Sequence, residues 1–323
     1  MTSDLVRSVH VSTRMRSLPK TVLGVSFVGL LVAACGAQSG IGVGSPLAGA
    51  VGNVACPELL GGAMNATFDS DARANATIRA FVTASGDLAE TAARVQADVL
   101  QACERMATDL DVPQGERAPR DGQSPVAASC GAVTARIDAI LKKGVSAQVR
   151  SSVTPPQCEV NADAQAACRG QCSGQASAQG QGAAQGQVPG QSSASGSGSA
   201  SADARCESSC KAHADLTARC TEARVQVQGT VDTGEVGKVI ATMQRNLPAL
   251  VTAQIAYGQR IAGDVDVLVR TGSELPRAFG DLSAKAGACI AAAANATYAA
   301  QVSLRVSVQA SARVSATAGA SGG

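Results

Sequence analysis

Aromatic side chains are almost missing: there is no tryptophan, and only two tyrosines and four phenylalanines occur in 323 residues. Stacking platforms for sugars or nucleobases are thereby largely excluded, and the core has to be filled by Ala, Val, Leu and Ile. Each small side chain removes little apolar area from water, so such a core asks for covalent reinforcement. Histidine is as scarce. His10 stands in a basic N-terminal segment, which leaves His213 as the one candidate base for a serine or cysteine nucleophile, and no carboxylate partner is fixed for it by spacing. His213 therefore reads as a solvated helix residue, and the chain is not expected to be an enzyme. The carboxylate pairs Asp69/Asp71 and Asp264/Asp266 lack the later Glu of a calcium loop, and the first pair reads as helix-start chemistry. The glycine-rich runs lack the lysine, the preceding strand and the following helix of a phosphate loop. No cofactor and no metal site are expected.

What is present begins with an address. Arg7, Arg14, Arg16 and Lys20 precede an apolar run from Thr21 to Ala34 that ends in LVAAC at Cys35. Fourteen residues are too few to span a bilayer as a helix and suit a signal-peptide core. Val32, Ala33, Ala34 and Cys35 resemble the lipobox of bacterial lipoproteins. That resemblance implies cleavage before Cys35, a thioether-linked diacylglycerol on its sulfur, an acylated amino group, and hence a membrane partner held through several chains. The plainer alternative is an ordinary secretory signal with a chance cysteine, and Met15 would serve as another start. Gly36 stands where lipoproteins retained in the inner membrane carry Asp, which points to the outer membrane. Without residues 1–34 the chain has 23 basic and 24 acidic side chains, so no basic field remains for nucleic acid.

Ten cysteines remain besides Cys35, an even number in a compartment where disulfides form. Their spacing is informative. Cys172 and Cys206, Cys168 and Cys210, and Cys158 and Cys220 share one index sum, 378, as facing residues of an antiparallel hairpin do. CRGQC and CESSC each place two sulfurs on one helical face, with Asp163 and Asp203 as candidate caps. Two such helices laid antiparallel pair Cys168 with Cys210 and Cys172 with Cys206, while Cys158 with Cys220 closes the base. The arrangement resembles the twin CxxxC helical hairpins of small secreted and mitochondrial intermembrane-space proteins, over these four cysteines only, and it carries pairing geometry without function. A four-thiolate zinc site and a catalytic redox pair are the competing readings; the first needs reduced sulfurs and more typically a two-residue separation, the second more typically CxxC. Ser208 and Lys211 show the SxxK spacing of penicillin-interacting enzymes without that family's other elements, and are read as a chance match.

Two apolar stripes, Leu88, Ala92, Val95, Val99, Cys103, Met106, Leu110 and Val126, Cys130, Val133, Ile137, Ile140, flank a Pro- and Gly-rich segment centred near residue 117. They predict a second helical hairpin cross-linked by Cys103 and Cys130, which leaves Cys56 with Cys289 by elimination. Residues 145–153 and 225–231 alternate as strands; extension of the sum 378 sets Val153 opposite Val225 and Ala147 opposite Val231. Helical interruptions are expected near Gly86 and at Pro248. Strict alternation of Val302, Leu304, Val306, Val308, Ala310, Ala312 and Val314 suggests a third strand.

The expected fold is α+β and mainly α: a disulfide-stapled helical bundle with a small antiparallel sheet of about three strands and a clamped helical hairpin insertion that projects from it. Its parts are a signal peptide at 1–34, a flexible tether at 35–54, a helical region with the first strand at 55–154, the clamped hairpin at 155–222 with a disordered linker at 173–205, and the second strand, helices and C-terminal strand at 223–323. The expected role is structural or protein-interacting in the envelope, with an envelope protein as possible partner; the alternative is a periplasmic module for a small ligand or protein cargo.

Overall fold

The stripe from Leu88 to Leu110 is one side of an uninterrupted helix, α1, running Ala72–Asp109, about 57 Å long at 1.5 Å per residue. The computed structural model describes residues 56–61, 63–143, 149–182, 195–221, 223–229, 234–259, 261–279 and 282–319. The signal segment, Cys35, the tether, and the Ala147–Val231 pairing lie outside these residues. Asp71 caps α1 by accepting from the Ala74 N–H at 2.6 Å, as its position before an apolar run predicts. The expected interruption at Gly86 is corrected: this glycine is a contact point. A Cβ there would lie 2.6 Å from the carbonyl oxygen of Leu59, in the short helix Glu58–Gly61.

Past Asp109 the chain reverses. The Val112 N–H donates to the Ala107 carbonyl at 2.8 Å and Asp111 adopts a φ of 55°, the left-handed residue that ends many helices. Segment 113–118 folds back along α1, where Arg117 meets Glu104 at 3.2 Å and the Val112 carbonyl at 2.7 Å. Helix α2, Pro125–Lys143, consequently runs in the same sense as α1. Cys103 is bonded to Cys130, and further along both helices Arg136 donates to the Leu110 carbonyl at 3.1 Å. The expected second hairpin is thus a stapled pair of like-directed helices; the cross-link stands, while the turn between them is a doubled-back connection.

Strands β1, Val149–Thr154, and β2, Arg224–Gly229, pair antiparallel with Val153 opposite Val225. The same register continues into a two-residue ladder with Cys158 opposite Cys220, so one alignment governs both the sheet and the base of the clamp. The clamp helices are α3, Ala162–Gly182, and α4, Ser195–Leu216. Both extend into the segment 173–205, where no structure was expected. Helix nucleation is the costly step; once the CxxxC turns are fixed, Ala, Gln and Ser propagate the helix at small cost each, against about 1 kcal/mol for each glycine among them. The caps shift accordingly. Asn161 accepts from the Ala164 N–H at 3.0 Å in place of Asp163, and Asp203 lies inside α4.

Helix α5, Glu235–Thr252, passes through Pro248 without breaking and continues as a wider π-helical turn, Ala253–Gln259. Helix α6 follows at Ala262–Ala278. The C-terminal alternation is not a strand: α7, Ala284–Gly319, is a single 36-residue helix. Its buried residues Ala300, Leu304, Ser307, Ala310, Ser311 and Val314 follow helical spacing. The alternation misleads because serines count as polar in a pattern, yet a small serine fits a buried helical face when its hydroxyl bonds the carbonyl four residues back. Ser311 does so at 2.8 Å. The sheet therefore has two strands among the described residues, and the fold is mainly helical.

Helix α7 lies along α1 in the same direction. Their starts are hooked together where the Ser283 N–H donates to Asp69 at 3.1 Å and the Ser283 hydroxyl to the Phe68 carbonyl at 2.6 Å. Further on, the Thr297 hydroxyl meets Ser85 at 3.0 Å and the Ser303 hydroxyl donates to Gln96 at 2.7 Å.

Replacement of Gly86 by Ala tests the close approach. Helix propensity alone would favour Ala by about 1 kcal/mol, but displacement of the Leu59 backbone is expected to destabilise by roughly 1–3 kcal/mol. Gly131→Ala, where an added Cβ meets nothing within 4 Å, should stabilise. Thermal melts of the two variants should therefore move in opposite directions.

Candidate functional site

The structure brings together the four cysteine pairs named from the spacing, Cys103–Cys130, Cys158–Cys220, Cys168–Cys210 and Cys172–Cys206, and the pair left by elimination, Cys56–Cys289. Two of them form a seam. Cys172 and Cys210, in neighbouring disulfides, have their sulfurs 3.6 Å apart. The four clamp cysteines are buried in a cluster with Ala76 and Ala80 of α1. Alanine at those two positions lets the clamp lie against α1, so the hairpin is laid on the body where the sequence suggested a projecting arm. Ala212 and Leu216, at the end of α4, join the main core. The base disulfide differs: Cys158 is half-buried and Cys220 exposed.

Three sulfurs, those of Cys172, Cys206 and Cys210, lie within 4.8 Å of one another, as do donor atoms of Cys56, Glu58 and Cys289. In both groups the sulfurs are joined in S–S bonds, and a disulfide sulfur offers no thiolate for a metal.

The flank of α4 is polar, and this the sequence did not reveal. His213 is half-buried with its Nδ1 against the Asp87 carboxylate of α1, which corrects the reading of a solvated histidine. Arg73 of α1 meets Asp203 at 3.6 Å. On the side facing α6, Arg205 pairs with Glu274 at 3.1 Å, and Lys211 donates to Asp264 at 3.4 Å and to Asp215 at 2.7 Å. Ser208 meanwhile donates to the Ala204 carbonyl at 2.7 Å, so the SxxK pair has separate partners. Of these contacts only Lys211 and Asp215, four apart on one helix, were readable. Asp87, Asp264 and Glu274 come from distant segments and carried no signal; Asp264, noted beside Asp266, is the buried member of that pair.

Asp264 is 5% exposed, and its Oδ2 has no hydrogen-bond partner. Burial pushes its carboxyl above the ordinary range, Lys211 draws it down, and the neighbouring Asp215 carboxylate adds to the rise; the net direction is upward. Lys211 is held above the usual lysine range, first by its hydrogen bond to Asp215. The arrangement can hold α4 against α6 and, with two carboxylates and one ammonium, can take up a proton on acidification. Asp69 behaves oppositely, its carboxyl held low first by the Asp71 N–H and then by the Ser283 N–H.

The two shifts predict pH dependences of opposite sign. A folded-state pKa above the unfolded value means that Asp264 costs stability at neutral pH, a cost relieved as pH falls toward the ordinary Asp value of 3.8. Asp264→Asn should therefore raise the melting temperature at pH 7, by about 2–4 °C per kcal/mol relieved, with the gain shrinking as pH falls through the raised folded-state value toward about 4. Asp69→Asn should lower it at pH 7, and the deficit should close on acidification through the depressed folded-state value. Melts of both variants between pH 3 and pH 7 check the signs. No family model matches the chain, and comparison with curated proteins and with solved structures gives no match.

Proposed function

We propose that the chain is a lipid-anchored envelope protein whose disulfide-stapled helical body serves a structural or protein-interaction role at the outer membrane. The observation that carries the reading is the apolar run Thr21–Ala34 ending in Val32-Ala33-Ala34-Cys35 after four basic residues. The five disulfides support it, because such a density belongs to an oxidising compartment. Among the described residues no helix is long and apolar enough to cross a membrane; the anchor in this reading is the acylated Cys35.

The second reading is a periplasmic module for a small ligand or protein cargo, and one groove among the described residues bears on it. A groove between α2 and α7, lined by Ala127, Cys130, Thr134, Val306, Ala310 and Arg313 among others, holds about 150 Å³. Sites that enclose drug-sized ligands run from about 300 Å³ upward, so this groove is small for such a ligand.

Cys35→Ser should abolish incorporation of labelled fatty acid and move the mature protein from the detergent phase to the aqueous phase. Retention in the detergent phase without label would contradict acylation at Cys35. Cross-linked capture of the wild-type protein from its native envelope should recover a protein neighbour; recovery of a tightly held small molecule would favour the second reading.

A further inference from the structure

Helix α7 carries Lys285, Arg305 and Arg313 and no carboxylate in 36 residues. Outer faces of surface helices are ordinarily charged and polar, but here the solvent side runs Ala288, Ala291, Asn295, Tyr298, Val302 and Arg305 at alternating spacings of three and four, all exposed. Tyr298 is 65% exposed and Val302 46%, and they sit one turn apart. Lys285 is engaged by Glu58 at 2.6 Å. Arg305 and Arg313, both exposed, have no ion pair among the described residues.

Cys56 is bonded to Cys289, on the buried side of the second turn of α7 and opposite the stripe, so the described chain begins at a staple to this helix. The 20 residues Gly36–Ala55 span at most about 70 Å, and Tyr298 stands about 14 Å along the helix from Cys289. A second copy is a poor occupant, because α7 against α7 sets cations on cations with no carboxylate to offset them. An anionic surface supplies the missing charge.

We propose that this stripe of α7 lies on an anionic bilayer surface, with Tyr298 and Val302 entering the headgroup layer and Arg305 and Arg313 meeting lipid phosphates. The proposal rests on the anchor reading, which keeps a bilayer within reach of this helix. A shallow contact suffices, because a tethered protein meets the surface at high effective concentration. Each arginine near such a surface contributes about 1 kcal/mol, or about fivefold in affinity, and the attraction is screened by salt.

The test does not depend on lipidation. The chain from Gly36, which contains every described residue, is held by an N-terminal hexahistidine on vesicles with chelating lipid and brominated acyl chains. With no tryptophan and two tyrosines in the sequence, Tyr257→Phe leaves Tyr298 as the one strong emitter. Its emission should be quenched on vesicles rich in phosphatidylglycerol and spared on phosphatidylcholine vesicles. High salt should restore it. Without the hexahistidine, Arg305→Gln should weaken binding to the same anionic vesicles about fivefold, and Val302→Asp should abolish quenching with the melting temperature unchanged. Unquenched emission on anionic vesicles, equal quenching on both lipids, or a dimer in solution that shields Tyr298 would each overturn the proposal. Acylation at Cys35 is decided separately by the fatty-acid label, so failure of the anchor and failure of the face give different results.

Discussion

Where large side chains are scarce, helices gain cohesion by letting their backbones approach, and in this protein the approach happens around α1. Ala76 and Ala80 receive the sulfur seam, Gly86 receives the Leu59 carbonyl, and Ser85 receives Thr297. The exception makes the same point: Phe81, one of the few aromatics and fully buried, is accommodated because Gly272 has no side chain, since a Cβ there would lie 2.9 Å from the ring. Dispersion falls steeply with separation, so an alanine-rich core coheres only at these short distances. Any bulky residue on this surface of α1 would push several helices away together.

The disulfides answer the same shortage. Cys56–Cys289 joins residues 233 apart, and on the chain-entropy argument a closure of that length is worth about 5 kcal/mol when taken alone. The others are nested within it and add less each, because the outer closure has already restricted the chain. Beside that staple, Lys285 pairs with Glu58 at 2.6 Å and sits over the Phe68 ring, so the start of α7 is held covalently, electrostatically and by packing. The far end of α1 has no staple of this reach. There the hold is polar, with Asp109 accepting from Thr242 at 2.6 Å and from Arg245 at 2.9 Å, and Asp111 from Lys238 at 2.7 Å.

What was legible in the sequence was whatever repeats at a fixed spacing. The equal index sums of the clamp cysteines named the pairs, and the same sum gave the strand register from Val149–Gly229 to Thr154–Arg224. The stripes of α1 and α2 were visible because their buried residues are apolar. Helix α7 was misread where its buried face uses Ser307 and Ser311, which a hydropathy pattern counts as outward. Direction was illegible for α2, because a shared midpoint fits a hairpin while a left-handed Asp111 and a doubled-back connection were not foreseen. The polar flank of α4 was hidden for another reason: His213 and Asp87 are 126 residues apart, and nothing local marks either as a partner.

The central claim is that the clamp helix α4 is part of the body that α1 organises. Native-state hydrogen exchange of the oxidised protein tests it most directly. If α4 is packed as described, amides of residues 206–216 should open together with those of α1, at the same free energy and with the same denaturant dependence. Exchange of 206–216 as a separate, weaker unit, while α1 stays protected, would contradict the account and make the hairpin an appended arm.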